Sequence, residues 1–270
     1  MTPLMYDRFN RHINYLRISV TDRCNLRCIY CMPAEGIKLL RHEDILTFDE
    51  IADVVKTAAE MGVTRVRLTG GEPLVRRGIV DLVKMIAAIP GIEDLSMTTN
   101  GMLLSQYAFR LKEAGLHRIN VSLDTLDPVK YHKITRTGNV KMVLKGLLAA
   151  RQAGLHPIKL NCVVGEMNDE GDAMMVKQYG EENGFQVRFI RQMDLASGEF
   201  YVVEGGDGGN CRICNRLRMT SSGLIKPCLF DAIGFSVRDL GPGEAILQAI
   251  EHKPACGTVN LKEQFYNIGG

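Results

Sequence analysis

Apolar positions along this chain follow two periods that take turns. Six segments read as short β-rich strands: "YLRISV" (15–20), "VTRVRLT" (63–69), "EDLSMTT" (93–99), "HRINVSL" (117–123), "HPIKLNCVV" (156–164) and "FQVRFIRQM" (185–193). Helical spacing fills most of the intervals between them. The clearest helix is "LTFDEIADVVKTAAEMG", where Thr47 is placed to cap, Glu50 three residues on can close a capping box, and Gly62 ends the pattern. "LLSQYAFRLKEAG" and "NVKMVLKGLLAARQAG" stop in the same way, at Gly115 and Gly154. Strands alternating with helices predict an α/β fold with a parallel sheet. Six units are too few for a closed eight-stranded barrel, which leaves a partial (β/α)6 barrel or an open doubly wound sheet.

Both architectures place ligands at the carboxyl ends of the strands, and the unusual residues of this chain fall there. Cys24, Cys28 and Cys31 follow the first strand, and Gly70, Gly71 and Glu72 follow the second. Thr99 and Asn100 follow the third, Ser122 and Asp124 end the fourth, Lys159 lies in the fifth, and the sixth ends at Met193. One active site within the first 195 residues is the expectation.

Composition narrows the class. The chain has 270 residues, of which 46% are hydrophobic, enough for one large domain or one with an appendage. Its 33 basic and 31 acidic residues give a net charge of +2, so no overall field draws in nucleic acid or an anionic membrane. No apolar run reaches the length of a membrane span, and the first twenty residues carry charges where a signal peptide needs an apolar stretch. A cytoplasmic protein is expected, and in that reducing compartment clustered cysteines bind metal or do redox chemistry more often than they form disulfides.

Three thiolates on a tight loop can hold three irons of a [4Fe-4S] cluster and leave the fourth open for chemistry. A structural zinc would want a fourth ligand, and the nearest histidine, His42, lies eleven residues past Cys31. A second set, Cys211, Cys214 and Cys228, again has three members, although Cys256 could complete a zinc site there. Cys162, inside a strand pattern, reads as a small buried apolar residue.

The spacing Cys24-x3-Cys28-x2-Cys31, with aromatic Tyr30 before the last cysteine, resembles the signature of radical S-adenosylmethionine (SAM) enzymes, and "GGEP" (70–73) resembles their SAM-amine loop. With the second cysteine set, "LRISVTDRCNLRCIYCMP", "RVRLTGGEPL", "TTNG", "INVSLD", "RFI", "NRLR", "PCLF" and the terminal "GG", nearly the whole chain resembles the GTP 3',8-cyclase family of molybdenum cofactor biosynthesis. The resemblance implies a partial (β/α)6 barrel of the radical SAM type over 1–195 and a small cluster-binding extension over 196–270. It implies two [4Fe-4S] clusters, SAM as cofactor and GTP as substrate. In that family a 5'-deoxyadenosyl radical takes the ribose 3' hydrogen, and C3' then attacks guanine C8. The product passes to a cyclic pyranopterin monophosphate synthase, and a homodimer is compatible with the likeness.

Carried over residue by residue, Cys24, Cys28 and Cys31 would hold the SAM cluster, and Cys211, Cys214 and Cys228 the substrate cluster. Tyr30, Gly71, Thr98, Ser122 and Met193 match SAM contacts, with Arg188 as a further one. Arg67 and Lys159 match positions binding GTP phosphates, Arg67 also SAM, while Arg17, Arg216 and Arg218 match the catalytic pocket's arginines. Guanidinium groups suit a triphosphate because they fork onto phosphate oxygens and stay protonated. Arg76 and Arg77 read as solvated surface charges. The family's tail enters the pocket beside an arginine, which would give Gly269 and Gly270 a role. The chain departs from the family between Met193 and Cys211, where only seventeen residues stand in place of several dozen more. "EFYVV" (199–203) is the one short strand expected there. Two other readings are a radical SAM enzyme with an auxiliary cluster acting on a different substrate such as a peptide, and a non-catalytic metal-binding homologue.

Overall fold

The computed structural model describes residues 5–165 and 170–261. Along the chain run β1 (Tyr15–Ser19), α1 (Phe48–Glu60), β2 (Arg65–Thr69), α2 (Ile79–Ala87), β3 (Asp94–Thr99), α3 (Leu104–Glu113), β4 (Arg118–Ser122), α4 (Pro128–Thr135), α5 (Val140–Gln152), β5 (Ile158–Val164), α6 (Glu170–Asn183) and β6 (Gln186–Arg191). The capping box of α1 forms as expected, with the Thr47 hydroxyl accepting from the Glu50 amide and the Glu50 carboxylate accepting from the Thr47 amide. The carboxyl-terminal part then adds β7 (Arg216–Met219), β8 (Leu224–Lys226), β9 (Phe235–Ser236), α7 (Val237–Leu240) and α8 (Pro242–Glu251).

All nine strands share one open sheet in the order β6-β5-β4-β3-β2-β1-β7-β8-β9. β1 to β6 are parallel, β7 pairs parallel with β1, and β8 and β9 run antiparallel beyond it. The partial barrel expected from the six units is present, and the carboxyl-terminal extension continues its sheet through β7.

Side chains alternate between faces along a strand. One face carries Leu16, Ile18, Val66, Leu68, Leu95, Met97, Ile119, Val121, Leu160 and Cys162, all buried in a single core with Ile51, Val55, Leu82, Leu111 and Leu147 of the helices. A parallel sheet ordinarily buries apolar residues on both faces. Here the other face is polar: Arg17, Arg67, Thr98, Asn120, Lys159, Arg188 and Arg218 occupy the alternate positions. A polar inner face on parallel strands is what a ligand-holding concavity requires.

Two local expectations change. "EFYVV" forms no strand; Glu199 and Glu204 make only isolated bridges, to Asp194 and Phe189. Arg76 is no free surface charge, because its guanidinium donates to the carbonyls of Val20 and Leu46 and lies 4.3 Å from the Phe48 ring centroid.

Candidate active site

The first cysteine loop is held from three sides. The Asp22 carboxylate accepts from the Leu40 amide at 2.6 Å and from the Arg23 guanidinium at 2.9 Å, closing the loop on itself. Arg136, just past α4, donates to the carbonyls of Arg27 and Met32 at 2.6 and 2.8 Å. The glycine turn after β2 supplies the third side, with the Gly71 amide donating to Thr21 at 2.7 Å and the Glu72 amide to Arg23 at 2.8 Å. A β-carbon at Gly71 would stand 2.4 Å from the Arg23 carbonyl oxygen, so only glycine permits this approach.

Two buried carboxylates anchor this end of the sheet. Glu72 accepts from the Thr99 hydroxyl and Asn100 amide at 2.7 Å each and from the Leu74 amide at 3.0 Å, yet burial pushes its carboxyl up to about 7. Asp124 accepts from the Tyr30 hydroxyl at 2.7 Å and the Val163 amide at 2.9 Å, and burial pushes it up to about 6. Tyr30 is thereby pinned to the ends of β4 and β5. Glu72 and Asp124 were visible in the sequence only as rim residues; their hydrogen-bond partners come from distant segments.

Burial pushes the Cys24 thiol up to about 11 and Cys31 up to about 12, with Cys28 displaced in the same direction. The charge of neighbouring thiolates adds to the effect at Cys28 and Cys31. Half-buried thiols whose ionisation is opposed in this way suit a cationic group, and bound iron would supply the positive charge that favours their thiolate form. Among the described residues, no group of three or more Cys, His, Asp or Glu converges closely enough to hold a single metal ion.

The second set surrounds the start of β7. Cys211 opens a short 3-10 turn capped by the Asn210 side chain, Cys214 precedes β7, and Cys228 follows β8. Buried Arg11 donates to the carbonyls of Cys211, Ala255 and Pro254 at 2.8, 3.1 and 2.7 Å and so fastens this turn to the segment after α8. Cys256 lies 3.3 Å from Cys211, sulfur to sulfur, on the exposed side. At Cys214, burial opposes ionisation, but Lys253, the Arg216 amide and the nearby guanidiniums outweigh it and hold the thiol below its usual range.

Both sets open into one cavity of about 350 Å3. Its lining includes Cys24, Cys28, Cys31, Cys211, Cys214 and Cys228, and also Arg17, Tyr30, Gly71, Thr98, Ser122, Met193, Arg216 and Arg218. Arg17 faces Arg218 across the β1–β7 register, and Tyr15 faces Arg216. Burial and mutual repulsion lower the Arg17 and Arg218 guanidiniums, Arg218 to about 10. Such a crowded cationic wall favours an anionic occupant. The Thr98 hydroxyl is buried with no hydrogen-bond partner among the described residues, and so is the Asn161 side-chain oxygen. Both belong to residues that line the cavity and can serve a ligand.

Arg67, Lys159 and Arg188 do not line this cavity. They form a cationic layer on the same sheet face, Arg67 level with Arg17 and Arg188 level with Asn161 in the strand register, and burial lowers all three, Lys159 to about 8. Arg188 donates to the Gly205 carbonyl at 3.2 Å, and Arg67 donates to the Ser96 hydroxyl at 3.2 Å. Arg118, which the sequence reading did not single out, belongs to this layer and is paired with Asp94. Gly269 and Gly270 lie outside the described residues.

The short joint supplies a wall of its own. Phe200, Val203, Gly208, Gly209 and Asn210 line the cavity. Leu195 and Phe230 form a small second core with Met193, Phe200, Cys228 and Leu229, in which the Phe200 and Phe230 rings stack at 4.7 Å.

A parallel partial barrel with a three-cysteine loop after its first strand and a polar inner face defines the class: the chain belongs to the radical SAM superfamily, whose family model matches residues 18–178. Its curated relatives are narrower in name. The GTP 3',8-cyclase of Moorella thermoacetica is 44% identical over 271 aligned positions covering 84% of each chain. That of Peptoclostridium acidaminophilum is 39% identical over 321 positions covering 99% of this chain and 98% of its own, which places the chain in the GTP 3',8-cyclase family. An alignment of 321 positions across 270 residues leaves several dozen positions of the relative facing a gap. Among solved structures, native anSMEcpe with bound AdoMet superposes with a TM-score of 0.59 at 16% identity, covering 89% of this chain and 81% of that one. Streptococcus suis SuiB gives 0.60 at 16% identity, covering 82% and 62%. These two likenesses concern the fold.

Proposed function

We propose that this chain is a GTP 3',8-cyclase of molybdenum cofactor biosynthesis, converting GTP to 3',8-cyclo-7,8-dihydro-GTP. The observation that carries the reading is the single cavity onto which both cysteine triplets and the three arginines open. When bound, the first [4Fe-4S] cluster and SAM supply hydrogen-abstracting radical chemistry, and the second cluster supplies an open coordination position for guanine.

The chain's own residues divide the remaining work. Cys24, Cys28 and Cys31 hold one cluster, and the Gly71 turn, Tyr30, Thr98, Ser122 and Met193 form the bed for SAM beside it. Cys211, Cys214 and Cys228 hold the other. Arg17, Arg216 and Arg218 grip the substrate between them, and Arg67, Lys159 and Arg188 on the same sheet face extend the positive field toward the triphosphate. This division of labour follows the boundary near residue 195: a SAM-cleaving part over 1–195 and a guanine-holding part over 196–270. The joint's Phe200, Val203, Gly208 and Gly209 wall one side of the space where the two meet.

No helix among the described residues is long and apolar enough to cross a membrane. We place the enzyme in the cytoplasm, upstream of a cyclic pyranopterin monophosphate synthase, and regard a homodimer as compatible with the family. The reading is tested by anaerobic turnover with GTP: a cyclised product detected by mass spectrometry supports it, and SAM cleavage that yields none contradicts it.

A further inference from the structure

Lys253 is a buried titratable group that this reading leaves unused. It follows α8 directly and is 2% exposed. Its ammonium donates to the carbonyl of Arg216 at 2.7 Å and to that of Pro227 at 2.7 Å. Arg216 stands two residues after Cys214, and Pro227 immediately precedes Cys228. Two donors of one ammonium are thus spent on the two segments that carry Cys214 and Cys228. The carbonyl partners are neutral, and Arg11, the other cation acting on it, repels it. Burial lowers the ammonium, and the charges of Cys214 and Cys228 act in the opposite direction. Nothing about a surface lysine predicts this burial, because lysine is rarely buried without a partner.

We propose that Lys253 is a positioning and tuning residue of the second iron–sulfur cluster. It holds the Cys214 and Cys228 segments in register and raises the cluster's reduction potential through its charge. The physical basis is general: hydrogen bonds to the sulfurs and nearby charge set cluster potentials, and a fixed cation stabilises the more negative, reduced form. This inference rests on the two-cluster reading above.

The experiment uses the full-length chain with Cys24, Cys28 and Cys31 replaced by serine, so that only the second cluster can assemble. After anaerobic reconstitution, iron is counted and the midpoint is read by potentiometric titration followed by electron paramagnetic resonance. Lys253→Gln keeps donors for the carbonyls and removes the charge; Lys253→Arg keeps the charge. With Gln, the ratio of reduced to oxidised cluster at a fixed potential should fall about tenfold, a shift of about 59 mV to more negative values for one electron. With Arg, the ratio should stay within about threefold of the parent, less than about half of that shift. An unchanged midpoint in the Gln variant overturns the proposal. If the Gln variant retains no iron, the Arg variant decides: iron retained at the parent midpoint supports a role for the charge, and iron lost there too overturns it. A parent protein that binds no iron contradicts the two-cluster reading instead, and does so before any Lys253 variant is examined.

Discussion

Lys159 shows how one residue's environment becomes a measurable pH dependence. Burial, with repulsion from Arg188, Arg118 and Arg67, lowers its ammonium from 10.5 to about 8. Between those values the unfolded chain holds a proton that the folded chain has released, so the free protein gains stability as pH rises through that window. Binding of a triphosphate has the opposite sign, because the anion favours the ammonium and above pH 8 a proton must be taken up on binding. GTP affinity measured by calorimetry should fall as pH rises above 8, by up to about tenfold per unit, and Lys159→Arg should flatten the profile. Arg218→Met addresses the cavity wall itself: removal of a buried forked cation should weaken GTP binding by about tenfold or more, while SAM still binds. Neither lysine nor arginine positions could be ranked from spacing alone; the cavity lining separates Arg17, Arg216 and Arg218 from Arg67, Lys159 and Arg188.

The seventeen-residue joint carries the most information at the scale of elements. Read as composition, "GGDGGN" is a flexible linker, but its glycines are packed. Gly209 adopts a φ of 75°, and a β-carbon there would stand 1.8 Å from the Tyr201 carbonyl oxygen. Gly209→Ala should therefore displace the wall and the adjacent Cys211 turn, leaving about four irons per chain after reconstitution where the parent holds about eight. Phe230→Ala, which removes half of the Phe200–Phe230 stack from the small second core, should cost about 3 kcal/mol in denaturant unfolding. The six long strands were legible because each spans several alternations, and α1 because both ends are signalled. β7, β8 and β9 were not, since each is only two to four residues long and is fixed by its neighbours in the sheet.

At the scale of the whole molecule, the fold turns one chain into two faces with opposite purposes. The apolar face is bound to helices, and the polar face is concave, cationic and rimmed by six thiols. The cysteine spacings and the rim residues of each strand were readable because they are local patterns. What the sequence could not display is convergence: that Cys228 lies on the same cavity as Cys24, that Arg11 ties the Cys211 turn to the segment after α8, and that the short joint still builds a wall. Those depend on pairing β7 with β1, a contact between residues about two hundred positions apart. The central claim is that one cavity couples SAM cleavage to GTP, and the most direct test is anaerobic. The reconstituted, dithionite-reduced protein is given SAM, and 5'-deoxyadenosine is quantified with and without GTP. The account predicts that GTP stimulates its formation and that a cyclised product appears in step with it. SAM cleavage indifferent to GTP would contradict the account and place the fault in the wall and cysteines of residues 194–228.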